Sequence, residues 1–483
     1  MSRSPLPGPI AAPERDRRWV LKAFGGAAAA TVLGTRCSSN SDDAVTGPRR
    51  DRLRTAPEAA DEVWPDGFWW GTGNSSNQCE GAAPASDWLR WEQAGRAPSS
   101  GDGNGFAARH AEDFALLKEV GLGHFRISIE WARVEPREGE HDRAEIERYR
   151  AMLQTAKDLG LHIWVCAHHF SLPRWVSDAG GFLDPHIATK AWPRHIAFLA
   201  DTFGDLVYGW KPINEPWAYA SISYLIGTFP PGKTDVALTG AALQAVHLAN
   251  FEAARILRGD GPVSTVHALS PCYPASDATD DIEAAAFVDE LIYGCWIRAI
   301  TEGEFRLPEL PGGHRIEGVK DPSFTEAFDV IGFSYYSAST YAAAPELASL
   351  GGVLPGNYPP DGEVGMMGYV AWPDGLQANL RRLHRDLPGR DLLISEYGIG
   401  TLDDRERQRY LRDGVRIAKQ ALDDGVRLRG FFHWTGVDNY EWLEGFTAPF
   451  GLIDRDRTPR PSAELLRFYA AGGRPGEEPT AFR

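Results

Sequence analysis

The sequence predicts an α/β fold, a (β/α)8 TIM barrel built as a single domain with loop insertions. Three observations carry that expectation. Eight short runs occur, most of them apolar on both faces, as buried parallel strands require. Longer segments between them repeat apolar residues three to four apart, as in Phe114, Leu117 and Val120, which is the spacing of helices resting one face on a sheet. Finally, 483 residues fit one barrel with insertions better than two average domains.

Taken in order, the expected strands are 68–72, 124–129, 161–168, 207–213, 263–269, 330–335, 392–395 and 428–434. The expected helices are 105–120, 143–159, 190–206, 239–257, 282–300, 375–385 and 405–424. Strict alternation of the two kinds around eight strands points to a closed parallel barrel. An open doubly wound sheet is the alternative, but no Gly-rich GxGxxG turn follows the first strand. Segment 337–371 is rich in Gly, Pro and Tyr and too long for an ordinary barrel connection, so it is expected to form an irregular rim or lid.

Both ends lie outside this pattern. Residues 1–37 read as a twin-arginine-type export signal, with Arg17-Arg18 ahead of an apolar run at 23–33 that is too short to span a bilayer. The expected location is therefore periplasmic, cell-surface or extracellular. Residues 38–62 read as a polar linker, 63–472 as the barrel domain and 473–483 as a C-terminal tail. Cys37 stands where a lipid anchor could attach, but the Arg36 before it argues against a lipobox. A net charge of −16 excludes the basic face that nucleic acid requires. The five cysteines lack paired spacing, and no His/Cys cluster is present, so neither a disulfide framework, nor a metal site, nor a cofactor is expected.

Two carboxylates stand out because each closes an apolar strand-like run: Glu215 in Trp210-Lys-Pro-Ile-Asn214-Glu215-Pro216 and Glu396 in Leu392-Leu-Ile-Ser-Glu396-Tyr397-Gly398. On the predicted barrel they end the fourth and seventh strands, at the face where barrel active sites gather. A pair of carboxyl groups is the equipment for cleaving a glycosidic bond, one as proton donor and the other as nucleophile or base. A lone Glu at a strand end is more often a cap or an ion-pair partner, so the pair matters more than either member.

Seven motifs in chain order carry a family resemblance. They are Phe68-Trp-Trp-Gly-Thr-Gly-Asn-Ser-Ser-Asn-Gln78-Cys-Glu80, Phe125-Arg126-Ile-Ser-Ile-Glu-Trp, His169-Phe170-Ser171-Leu172-Pro173, Asn214-Glu215-Pro216, Ser334-Tyr335-Tyr336, Ser395-Glu396-Tyr397-Gly398 and Trp434-Thr-Gly-Val-Asp-Asn-Tyr-Glu441-Trp442. Through them, from about residue 63 to 469, the chain resembles family 1 of the glycoside hydrolases, the β-glucosidase type.

The resemblance implies a retaining enzyme acting on a small-molecule β-glycoside without a cofactor. Glu396 would attack the anomeric carbon, and Glu215 would protonate the leaving oxygen and later deprotonate water. Arg126 and Tyr336 would support Glu396, and Asn214 would be a supporting residue that also meets the nonreducing sugar. Gln78, His169, Phe170, Trp434, Glu441 and Trp442 would bind the sugar. The acidic Glu441 would repel a phosphorylated glycone, so glucose leads, with galactose and fucose behind it. A transglycosidase using the same intermediate, and an inactive sugar-binding barrel, are the alternatives. The chain departs from the family pattern at Phe170 (commonly Trp), Ser171 (Asp), Pro212 (Thr), Ser334 (Asn), Tyr397 (Asn) and Pro449 (Arg), as a divergent member would.

Overall fold

The computed structural model describes residues 63–482, so the predicted signal and the whole of the predicted linker lie outside the described residues. Eight strands form the central sheet: β1 (Trp69–Gly73), β2 (His124–Ser128), β3 (His162–His168), β4 (Gly209–Ile213), β5 (His267–Ala268), β6 (Val330–Tyr335), β7 (Asp391–Tyr397) and β8 (Leu428–His433). Their order is β4-β3-β2-β1-β8-β7-β6-β5, with every neighbouring pair parallel. The remaining edges meet where Trp210 N donates to the Pro262 carbonyl at 2.7 Å and Ser264 N donates to the Trp210 carbonyl at 2.8 Å. The sheet is a closed barrel, as the alternation predicts.

The eight strands fall within a few residues of their expected places, with two informative differences. The fifth is reduced from seven residues to a two-residue ladder plus single bridges at Val263 and Ser264. There the Ser264 and Thr265 hydroxyls donate to backbone carbonyls at 2.9 Å, those of Thr265 and Gly332, and compete with the regular ladder. The seventh runs on through Glu396 to Tyr397, so this glutamate is part of the strand. Trp69, Trp164, Val330, Leu393 and Phe432 converge from five strands as a second core cluster inside the barrel. Each such buried side chain contributes about 1.5–3 kcal/mol.

A helix follows each strand on the outside: α1 (Phe106–Glu119), α2 (Arg143–Asp158), α3 (Trp192–Phe203), α4 (Val236–Ile256), α5 (Thr279–Asp289, continued through a wider turn by Cys295–Glu302), α6 (Asp374–Asp386), α7 (Asp404–Asp423) and α8 (Pro461–Ala470). Asp235 sets the start of α4 three residues before the apolar pattern alone suggests, because its carboxylate accepts Leu238 N at 2.9 Å. The last helix has no counterpart among the predicted elements. Among the described residues no helix is long and apolar enough to cross a membrane.

Segment 337–371 is more ordered than its composition suggests. Strand Ala338–Ala343 pairs antiparallel with Val353–Tyr358 and parallel with Cys272–Pro274, making a small sheet beyond the ends of β5 and β6. Tyr273 stacks on Tyr358 at 4.1 Å, and Trp372 closes on Tyr358 edge-on at 4.7 Å, so aromatic pairs hold the strands in register.

Candidate active site

The C-terminal strand ends bring the predicted catalytic group together around one guanidinium. Arg126 on β2 is fully buried and donates Nη1 to Glu396 Oε1 and Nη2 to Asn214 Oδ1, the latter at 2.5 Å. Tyr336, one residue past β6, donates its hydroxyl to Glu396 Oε2 at 2.5 Å. Both oxygens of Glu396 thus face donors, one cationic, which is the setting an ionised carboxylate favours.

Glu215 follows Asn214 directly and is fully buried. Its amide donates to the Val266 carbonyl at 2.9 Å, and Asn214 N to the His168 carbonyl at 3.0 Å, so the pair is tied to the strands on both sides. The backbone at Glu215 is left-handed, with φ of 45°. Pro216 then begins the short helix Pro216–Ala220, where its missing N–H loses nothing.

A second group gathers on Glu441. Its Oε2 accepts Gln78 Nε2 at 3.2 Å and its Oε1 accepts Trp434 Nε1 at 3.1 Å. Gln78 is aimed from the opposite side of the chain by Ser75, which caps helix Ser76–Glu80 and donates Oγ to Gln78 Oε1 at 2.9 Å. Burial, with the nearby Glu396 charge adding to it, pushes the Glu441 carboxyl well above its ordinary range, against the pull of its donors Trp434 and Gln78. Trp434 links this group to the first, its ring centre lying 5.8 Å from the Arg126 guanidinium.

The third group is an aromatic wall. Phe170 lies 5.0 Å from the His169 ring and 5.7 Å from Trp442, and His169 lies 6.1 Å from Trp442. All eleven predicted site residues are buried. Among the described residues only four non-glycines have positive φ: Phe170, Glu215, Trp442 and Arg457. Three of the four are predicted site residues, and side chains of this size avoid that region unless the surrounding structure holds them there.

Several neighbours escape motif reading. Trp88 packs edge-on against Trp442 at 4.6 Å, and Phe229 touches Phe170 and Trp442 at 5.7 and 5.2 Å. Tyr369, in the insertion, is buried; desolvation and then the Tyr410 and Glu441 charges push its phenol up. Tyr397, one of the departures, faces outward instead: its hydroxyl donates to the Tyr410 carbonyl at 2.9 Å, and its ring stacks on Tyr410 at 4.3 Å. Away from these residues, none of which lines it, lies an apolar cavity of about 50 Å³ bounded by Trp217, Leu243, Ala268, Tyr341 and Val353.

Known proteins share this architecture. The profile of Glycosyl hydrolase family 1 matches residues 60–471. Beta-glucosidase A of Thermotoga maritima is 27% identical over 419 residues, covering 81% of this chain and 92% of that protein. A 1,4-beta-D-glucan glucohydrolase of Thermotoga neapolitana is 26% identical over 422 residues, covering 81% and 97% respectively. Among solved structures, a beta-glycosidase from Pyrococcus horikoshii superposes with a TM-score of 0.77 at 29% identity, covering 85% of this chain and 95% of that one. With a family match across most of its length and a closed barrel beneath it, the chain belongs to glycosyl hydrolase family 1 and is a glycoside hydrolase acting on small-molecule glycosides.

Proposed function

We propose that the protein is a retaining β-glucosidase working by double displacement, with Glu396 as nucleophile and Glu215 as acid and base. The observation that carries this reading is the shared guanidinium, which joins Glu396 to the residue preceding Glu215. In the first step a Glu396 oxygen bonds to the anomeric carbon as the glycosidic C–O bond breaks, and Glu215 gives its proton to the departing oxygen. In the second step Glu215 takes a proton from water, whose oxygen displaces Glu396 and releases the sugar.

Gln78, His169, Phe170, Trp434, Glu441 and Trp442 would form the glycone pocket, with polar groups for hydroxyls and indole for a ring face. A carboxyl group at Glu441 disfavours a phosphorylated glycone.

The test uses two variants on aryl β-glucosides. Glu396→Gln should abolish turnover. Glu215→Gly should slow poor leaving groups by about 10²–10⁴ and good ones far less, with azide restoring turnover as the β-glucosyl azide. Equal slowing of both leaving groups, with no azide product, rejects the acid assignment. Export is a separate proposal, supported by Arg17-Arg18 before the apolar run. Replacing both with Lys should hold the enzyme in the cytoplasm of an expressing bacterium, and unchanged export contradicts it.

A further inference from the structure

The interior of the barrel holds a lysine that the roles above do not use. Lys211 on β4 is completely buried. Its Nζ donates to Ser395 Oγ at 2.5 Å and lies 5.3 and 5.4 Å from the ring centres of Trp164 on β3 and Phe432 on β8. The ammonium therefore reaches across the barrel to β7, flanked by two aromatic rings that favour a cation.

Its target sits at a particular place in β7. Ile394 pairs with Phe333 and Glu396 with Ser334, so β7 advances two residues where β6 advances one. Ser395 is the extra residue, and the register against β8 shifts in the same stretch. Such a bulge bends a strand and re-aims the adjacent side chain. Room for the Ser395 hydroxyl comes from Gly332, where a Cβ would lie 2.6 Å from Ser395 Oγ and 2.3 Å from the Thr265 carbonyl.

The geometry points to Lys211 as a positioning residue that fixes the Ser395 bulge and so holds Glu396 at its angle of attack. This inference rests on the reading of Glu396 as nucleophile. Arg126 and Tyr336 grip the carboxylate itself, whereas Lys211 holds the side chain of Ser395, the residue before it. A displacement of about 1 Å at a reacting group costs on the order of 10²-fold in rate, so a hydrogen bond at the bulge has leverage that its own strength does not.

The experiment measures covalent labelling by an activated 2-deoxy-2-fluoro-β-glucoside, which reports attack by the nucleophile alone. Lys211→Met, Ser395→Ala and the double variant are compared with wild type, alongside competitive inhibition by glucose and the melting temperature. Each single variant should label about 10- to 100-fold more slowly, with glucose inhibition changed less than about threefold. The double variant should be no slower than the slower single, because both changes remove one contact. Wild-type labelling in the single variants overturns the inference, and so does a multiplied loss in the double. Should Lys211→Met fail to fold, Ser395→Ala decides by the same criteria. Glu396→Gln is the control for the underlying reading: labelling that persists there rejects Glu396 as nucleophile, an outcome separate from any result at Lys211.

Discussion

Phe170, Glu215 and Trp442 hold left-handed backbone conformations that cost about 1–3 kcal/mol each. The aromatic wall around Phe170 and Trp442 and the strand hydrogen bonds flanking Glu215 keep them there. Glu441 is also held against its preference. Its folded-state pKa lies above that of the unfolded chain, so the folded protein binds the extra proton and stability falls as pH rises through that interval. Glu441→Gln should therefore flatten the decline of melting temperature above about pH 4.5 while raising KM for glucosides. An unchanged slope would contradict the burial argument. Motifs made these residues legible because the chemistry demands particular side chains at strand ends. Trp88, Phe229 and the Lys211–Ser395 contact were not legible, since each depends on packing between segments far apart in the chain.

At the scale of elements, the loop carrying His169 and Phe170 is moored to the short helix Asp87–Gln93. Leu172 N donates to Asp87 Oδ1 at 3.0 Å, and Asp87 N donates to the Leu172 carbonyl at 2.9 Å. Burial pushes the Asp87 carboxyl up to about 7, although the Leu172 bond pulls the other way. Since the ordinary Asp value is near 3.8, the folded state gains a proton between those limits. Stability contributed by the protonated form is thus full below about pH 4 and is lost as pH rises to about 7. Asp87→Asn keeps an acceptor for Leu172 N and removes that titration. It should be more stable than wild type at pH 8, by at most about 4 kcal/mol, and nearly equal at pH 4, as followed by chemical denaturation. A constant difference across the range would rule Asp87 out. Helix and strand positions were legible from apolar periodicity, but the shortened β5 and the ordered hairpin in 337–371 were not. Hydroxyl-to-backbone bonds decide the first, and aromatic pairing between distant strands decides the second.

Across the whole molecule, closure of the barrel brings Glu396 and Asn214, the residue before Glu215, to one guanidinium, although the two glutamates lie 181 positions apart. The alternation of elements sufficed to predict that closure, because parallel strands followed by covering helices have few other solutions. The anomer released first distinguishes a retaining from an inverting mechanism. Proton NMR of the earliest product from an aryl β-glucoside should show β-glucose, followed by slow mutarotation toward the α form. Initial appearance of α-glucose would mean a single displacement and would contradict Glu396 as a covalent nucleophile.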